Sequence, residues 1–154
     1  MVTMRNAAAC GRILTAALLA GAVPLHGAAA QEAGETSPAA ILSVELNGLQ
    51  PTETGCRFTF VVSNGLGGEL ASAAFELVLF DKAGMVSRMT IVDFKDLPQG
   101  KTKVRQFDFS GVDCANLGRV LVNDATDCTG TGIDARACIR DLKTETRADV
   151  AFGT

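Results

Sequence analysis

The side chains that could do chemistry here form a short inventory: five cysteines, one histidine, and 17 aspartates and glutamates. Tyrosine and tryptophan are absent. The single imidazole, His26, falls in an N-terminal stretch that reads as a removable leader. Ser-His-Asp and Cys-His nucleophilic catalysis both need an imidazole base, so the rest of the chain can run neither. Histidine metal centres and the Trp or Tyr platforms that hold sugars are excluded on the same grounds.

Carboxylates are the chemistry that remains. Asp93 and Asp96 flank Phe94-Lys95 just before a turn, and read as a solvated loop. The densest group is Asn123, Asp124, Asp127 and Asp134, set among Thr126, Thr129 and Thr131. Oxygen ligands in a glycine-bearing loop suit calcium, which makes Asp124, Asp127 and Asp134 the calcium candidates. Their spacing fits no EF-hand loop, and Asp and Thr favour turns without any metal. No resident metal or cofactor is therefore expected. Arg105, Arg136, Arg140 and Arg147 could make a basic patch, but surface ion pairing among so many carboxylates is the expected use.

The leader is read from three segments in order. Arg5 and Arg12 lie in a stretch without acids, Ile13 to Val23 is apolar and runs on through Pro24 and Leu25, and small residues from Gly27 to Ala30 precede polar Gln31. That order is a secretory signal peptide, residues 1–30, with the cut expected after Ala30. A spanning helix would need ~20 apolar residues, more than this run supplies. Cys10 precedes the apolar run, so it is not placed for lipid attachment, and Arg5-Asn6 is not a twin arginine. General secretion to the periplasm or the medium is the expected route. Without residues 1–30, 12 Lys and Arg stand against 17 Asp and Glu, a net charge of −5. An acidic surface argues against nucleic acid and anionic membrane as partners, and no membrane insertion is expected after cleavage.

What remains must position four cysteines on one domain. Residues 31–40 (QEAGETSPAA) read as a flexible leader segment, and 41–154 as a single domain. From Ile41 the apolar residues recur every second position between turn signals, the pattern of an antiparallel sheet protein. Leu42, Val44 and Leu46 share one face; Cys56, Phe58, Phe60 and Val62 share another. Gly48 to Gly55 reads as a turn, Ala73 to Phe80 as a central strand, and Asp81-Lys82-Ala83-Gly84 as a hairpin turn. Met85 to Phe94 is a strand whose faces the pattern does not assign. Leu97-Pro98-Gln99-Gly100 is a turn, and Lys101 to Phe109 a lysine-marked strand suited to an edge. Gly118 to Asn123 and Thr144 to Phe152 complete about seven strands, with a Gly-, Thr- and Asp-rich loop between them. Seven short strands in ~110 residues predict an all-β, two-sheet sandwich. The eight phenylalanines fall mostly on apolar faces and read as core.

Strand parity then orders the cysteines. Cys114 and Cys128 flank a strand that would hold them apart, whereas Cys128 and Cys138 bracket a short Gly-Thr-Gly loop. Cys56 and Cys114 share the inward parity of their strands. The expected pairs are Cys56–Cys114 and Cys128–Cys138, in keeping with an oxidising compartment.

The stretch from Cys56 to Phe109 carries FTFVVSNGLGG, FELVLFDKAGMV and DLPQGKTKVRQFDF. This resembles the bacterial extracellular immunoglobulin-like domains of the FxLYD type, with a hydrophobic pair before Asp-x-x-Gly, then L-x-P-G and F-x-F. Phe80 stands where that family prefers tyrosine, and Pro98-Gln99-Gly100 adds a residue to its turn. The resemblance covers about half of the chain beyond the leader. It implies an immunoglobulin-like sandwich that binds or supports, without catalytic residues. The expected function is a non-enzymatic module of the bacterial envelope that touches another envelope protein, through a sheet edge or an end loop, above all Cys128 to Cys138. The alternative is a small-ligand or calcium-binding periplasmic protein, or a hydrolase working by carboxylates alone.

Overall fold

A computed structural model describes residues 39–154; the signal peptide, its cut and most of segment 31–40 lie outside the described residues. Eight strands follow in order, where about seven were expected: β1 (Ile41–Pro51), β2 (Gly55–Gly65), β3 (Leu70–Asp81), β4 (Val86–Asp93), β5 (Thr102–Ser110), β6 (Leu117–Gly130), β7 (Leu142–Thr146) and β8 (Ala151–Gly153). A 3-10 turn at Cys114–Asn116 precedes β6, and a single helical turn, α1 (Ala137–Arg140), precedes β7. They form a β-sandwich of two four-stranded sheets, ordered β5-β2-β1-β7 and β4-β3-β6-β8.

Alternation builds the central strands. Leu42, Val44 and Leu46 of β1 and Cys56, Phe58, Phe60 and Val62 of β2 are all buried, because period-two apolar residues put one face of each strand on the core. β1 and β2 pair antiparallel, and a bulge at Asn47 slips the register by one residue. β1 therefore continues through Gly48 to Pro51, where a turn was expected, and only Thr52 to Thr54 turn. In the second sheet Ala73, Phe75, Leu77 and Leu79 of β3 face inward. The β3–β4 hairpin closes at Asp81, whose Oδ1 accepts from the N–H groups of Ala83 and Met85 at 2.9 and 2.8 Å. Gly84 there sits at φ +81°, left-handed backbone that a side chain would strain.

β6 runs seven residues past its expected end at Asn123. Its pairing with β3 slips between Val122 and Asp124 and again between Ala125 and Asp127. Each extra residue turns the following side chains to the other face. The inward series thus runs Val120, Val122, Ala125, Cys128, with steps of three where alternation has two, and the sequence looks like a loop. The last expected strand is in fact two. β7 adds parallel to β1, from Leu42–Leu142 to Leu46–Thr146, and β8 adds parallel to β6, from Arg119–Ala151 to Leu121–Gly153.

Phenylalanine fills the space between the sheets. Phe60 meets Phe94 edge-on at 5.5 Å, Phe75 meets Phe94 at 5.8 Å, and Phe58 meets Phe109 at 4.7 Å. Such pairs contribute about 0.5–1.5 kcal/mol each beyond the area they bury. The gap between Phe60, Phe75, Phe94 and Phe152 holds no water-sized void, so this part of the core is packed rather than hollow. Phe80 alone turns outward, with the Arg119 guanidinium 5.6 Å over its ring.

Candidate functional site

The sandwich has four edge strands, and three of them are guarded. Along β5, Val104 is 59% exposed, but Lys103 bonds Asp96 at 2.6 Å, Arg105 Nε donates to the Phe94 carbonyl at 3.0 Å, and Arg57 of β2 grips Asp108 through two bonds. β7 is five residues long and carries the Lys143–Glu145 ion pair. β8 has three residues. Charge and shortness are the ordinary means of stopping an edge from pairing with another chain.

β4 is different. It is eight residues long, pairs among the described residues only with β3, and exposes five of its eight residues. Met85 just before it, and Val86, Met89 and Ile91 within it, are 66, 55, 57 and 60% exposed. Its two charges are turned elsewhere: Arg88 Nη2 donates to the Ser110 carbonyl at 2.8 Å, and Asp93 is held by Lys95. Behind the strand the outer face of the sheet stays apolar. Met89 lies beside Val78, and Val78 beside Leu121; Val86 lies beside Phe80. Ile91 is next to Glu76, so the patch is bounded by acid on that side.

The open side also offers backbone. Phe94 N–H donates to the Ala73 carbonyl at 2.9 Å, and hydrogen-bonded pairs alternate along an antiparallel ladder. Val92 and Thr90 thus turn their N–H and C=O groups to β3, while Ile91 and Met89 turn theirs outward. Apolar side chains and unpaired backbone groups coincide at two residues.

The sequence-predicted sites come out as follows. Cys56 is bonded to Cys114, Cα atoms 5.3 Å apart, and Cys128 to Cys138, 5.8 Å apart. The first ties the buried side of β2 to the turn before β6. The second anchors α1 to β6, with Ala137 and Cys138 buried and Ile133 packed on the core. The exposed part of that loop is Thr131, Gly132, Asp134, Ala135 and Arg136, which offers a partner no large apolar anchor. The calcium candidates do not share a loop, a correction to the expected placement: Asp124 and Asp127 are on the bulged part of β6, and only Asp134 follows it. Asp134 Oδ1 accepts from Arg136 N–H and pairs with Arg140 at 3.4 Å. No group of three Asp, Glu, Cys or His able to hold a metal occurs among the described residues.

Asp93 and Asp96 do not face each other as an acid–base pair. The Lys95 side chain and N–H hold Asp93 below the usual carboxylate range, and Lys103 does the same to Asp96, so both are ionised partners of lysines. Arg105, Arg140 and Arg147 are each engaged with acids, Asp96, Asp141 and Glu45 respectively. At the end of the sandwich holding the Cys56–Cys114 bond are two surface clefts. One of about 170 Å³ lies between Arg88 and Asp113, and its Asp81 and Asp113 carboxylates cap turns. The other, about 450 Å³, is open and lined by Leu49, Pro51, Lys82, Leu117, Arg147 and Val150.

Sequence pattern missed the β4 site. The run from Met85 mixes apolar residues on both faces, and a bulge at Ser87 breaks the parity between Val86 and Met89. One signal was available: no lysine or proline falls between Met85 and Val92.

No protein-family model matches the chain, and no curated protein matches it. A solved structure, the trimeric lipoprotein SadB of Salmonella enterica, is similar over 45% of this chain at 20% identity, with a TM-score of 0.40. The chain covers 40% of that structure's length. A likeness this faint leaves function to be read from the chain's own residues. Those define a disulfide-stapled β-sandwich with one open, apolar edge.

Proposed function

We propose that this chain is an exported, non-enzymatic binding module of the bacterial envelope, acting by protein–protein contact through the open edge of β4. The observation that carries the reading is the coincidence of exposed Met89 and Ile91 side chains with outward backbone groups on the same two residues. An extended segment added there gains main-chain hydrogen bonds and apolar cover together, which is recognition by strand addition. Burying what is still exposed of Met85, Val86, Met89 and Ile91 stabilises a contact by roughly 4–7 kcal/mol. That only meets the low end of the cost of association, about 4–15 kcal/mol, so backbone pairing has to supply the surplus. Two disulfides support export, since they persist in oxidising compartments. The partial resemblance of Cys56 to Phe109 to envelope-facing immunoglobulin-like domains agrees with a binding role. The Cys128–Cys138 loop serves here as a staple for α1 rather than as the contact.

The test is capture of tagged protein crosslinked in its native envelope, with three baits. Wild type should retain a near-stoichiometric partner, a Met89→Lys/Ile91→Lys bait should lose it, and a bait with residues 129–137 replaced by Gly-Ser should keep it. Loss with the loop bait and retention with the edge bait would move the contact to the loop. A second reading has one observation behind it, the 450 Å³ cleft beside Lys82, Arg147 and Asp149, whose size would suit a small polar ligand. A concentration-dependent rise in melting temperature with polar metabolites, abolished by Lys82→Ala, would favour it.

A further inference from the structure

We propose that the occupant of the β4 edge is a second copy of this chain, paired antiparallel with the first about a two-fold axis at Thr90. The inference rests on β4 being the contact edge, and it names the partner.

β4 has the property a strand needs to pair with itself. Residues directly opposite in an antiparallel pair share a face, so a two-fold axis must place residues of equal parity against each other. Centred on Thr90, Met89 of each copy meets Ile91 of the other, twice, and Ser87 meets Asp93. Centred on Met89, Ile91 falls against Ser87; centred on Ile91, Met89 falls against Asp93. The Thr90 register alone gives both outer apolar side chains an apolar partner. It also matches the backbone. Met89 and Ile91 carry the outward N–H and C=O groups, so they form the hydrogen-bonded pairs, and the two Thr90 residues meet in a narrow pair with Cα atoms about 4.5 Å apart.

Charge does not oppose this register. The two Glu76 side chains, each next to its own Ile91, end up three strand spacings apart, about 14 Å. That exceeds the screening length of ~8 Å at physiological salt. The two Arg88 residues lie four positions apart along the strands, about 13 Å, and each is already turned to its own Ser110 carbonyl. The net acidity of the chain remains as a general repulsion, so added salt should tighten the pair. Four apolar side chains, Met89 and Ile91 of each copy, on the order of 100 Å² each, with the strand backbones, stay below the ~1,200 Å² lower bound of standard interfaces, in the range of transient contacts. The result is a weak dimer, with a dissociation constant of about 10–100 μM, joining two four-stranded sheets into one of eight.

Two measurements on the purified protein test it. Sedimentation velocity over a concentration series should show reversible dimerisation, weakened at least tenfold by Met89→Lys with the melting temperature unchanged. Thr90→Cys, in a glutathione redox buffer, should give a cross-linked dimer at least tenfold faster than Gln106→Cys on the guarded β5 edge, with both native disulfides intact by peptide mapping. Equal cross-linking rates, or association untouched by Met89→Lys, would overturn the inference. If the protein stays monomeric to 0.5 mM while Met89→Lys loses a different envelope protein, the edge belongs to that protein; self-pairing falls and the binding-module reading stands. A monomer that captures nothing overturns both.

Discussion

Asn64 is the one buried polar residue among those described, fully withdrawn from solvent, and replacing it should cost more than any surface change. Its Nδ2 donates to the carbonyls of Leu97 at 2.7 Å and Gly68 at 2.9 Å, and its Oδ1 accepts from Leu66 N–H at 3.0 Å. The backbone of Asn64 adds bonds to Lys101 and Gly100. One residue therefore clamps the β2–β3 loop to the β4–β5 turn, the turn into which the open edge strand runs. Asn64→Ala orphans two groups, the Gly68 carbonyl and the Leu66 N–H, while the buried Leu97 carbonyl keeps its bond from Leu70 N–H at 3.1 Å. The two orphaned groups, on half-buried residues, should cost about 0.5–1 kcal/mol each as water reaches them, and the bond lost at Leu97 about 1 kcal/mol. The expected loss is about 2–3 kcal/mol, or a melting temperature lower by roughly 7–12 °C for a domain of this size. Guanidinium unfolding at 25 °C, followed by circular dichroism with disulfides intact, measures it. A loss under about 1 kcal/mol with unchanged m-value would refute the clamp. Asn64→Asp adds an internal check. Burial and the two facing carbonyls push the new carboxyl's pKa up, so the folded state holds a proton the unfolded state has released. That variant should be least destabilised below pH 4 and lose stability as pH rises.

Gly55 has no room for a side chain: a Cβ there would stand 2.1 Å from the Phe109 carbonyl oxygen, so Gly55→Ala should cost at least about 2 kcal/mol in the same unfolding assay, by forcing β2 and β5 apart. Cys56→Ser/Cys114→Ser opens a loop with a sequence separation of 58 and Cys128→Ser/Cys138→Ser one of 10; the chain-entropy relation gives losses of about 4 and 3 kcal/mol, and equal losses in calorimetry would count against it. Acid should destabilise the fold. Glu45 is held low by Asn47 and then Arg147, Asp93 by Lys95, Asp96 by Lys103, Asp108 by Arg57 and Asp141 by Arg140. Each binds fewer protons folded than unfolded, so stability is present above the unfolded carboxylate pKa near 4 and is lost as pH falls through the folded values. These pairs are exposed, so the fall in melting temperature from pH 6 to pH 3 should be small and should shrink further in 0.5 M salt; a rise on acidification would refute the sign.

Much of the architecture could be read from alternation, because Cys56, Phe58, Phe60 and Val62, or Leu42, Val44 and Leu46, keep one parity from end to end. Where backbone slips, that code fails. Bulges near Asn47, Asn123 and Thr126 each insert a residue, which is why Gly48 to Pro51 looked like a turn and Asp124 to Gly130 like a loop. Parallel pairing was equally hidden: nothing in Leu142 to Thr146 says that it will lie beside β1 rather than against its sequence neighbour. The open edge of β4 depends on that same missing information. Whether Met85 to Val92 is central or at the rim is decided by which strands come to lie on either side of β3, and those are β4 and β6, 24 residues apart from the end of one to the start of the other.

Composition cannot distinguish the open edge from the guarded ones. Charged residues make up 20% of the chain, and β4 carries two in eight, Arg88 and Asp93. The difference lies on the outer faces. On β5, Lys103 and Arg105 cross to Asp96 and to the Phe94 carbonyl just past the end of β4, and on β7 Lys143 and Glu145 pair along the exposed strand. On β4, Arg88 crosses back to Ser110 in the opposite sheet, and Asp93 closes on Lys95 at the strand's end. The outward side chains of β5 are Val104, Gln106 and Asp108, so its one exposed apolar residue sits among polar ones, with Asp108 held by Arg57. Those of β4 include Met89 and Ile91, with Met85 and Val86 exposed beside them. An added strand would find a continuous apolar face only at β4, and that contrast within one molecule is the argument for the proposed pairing there.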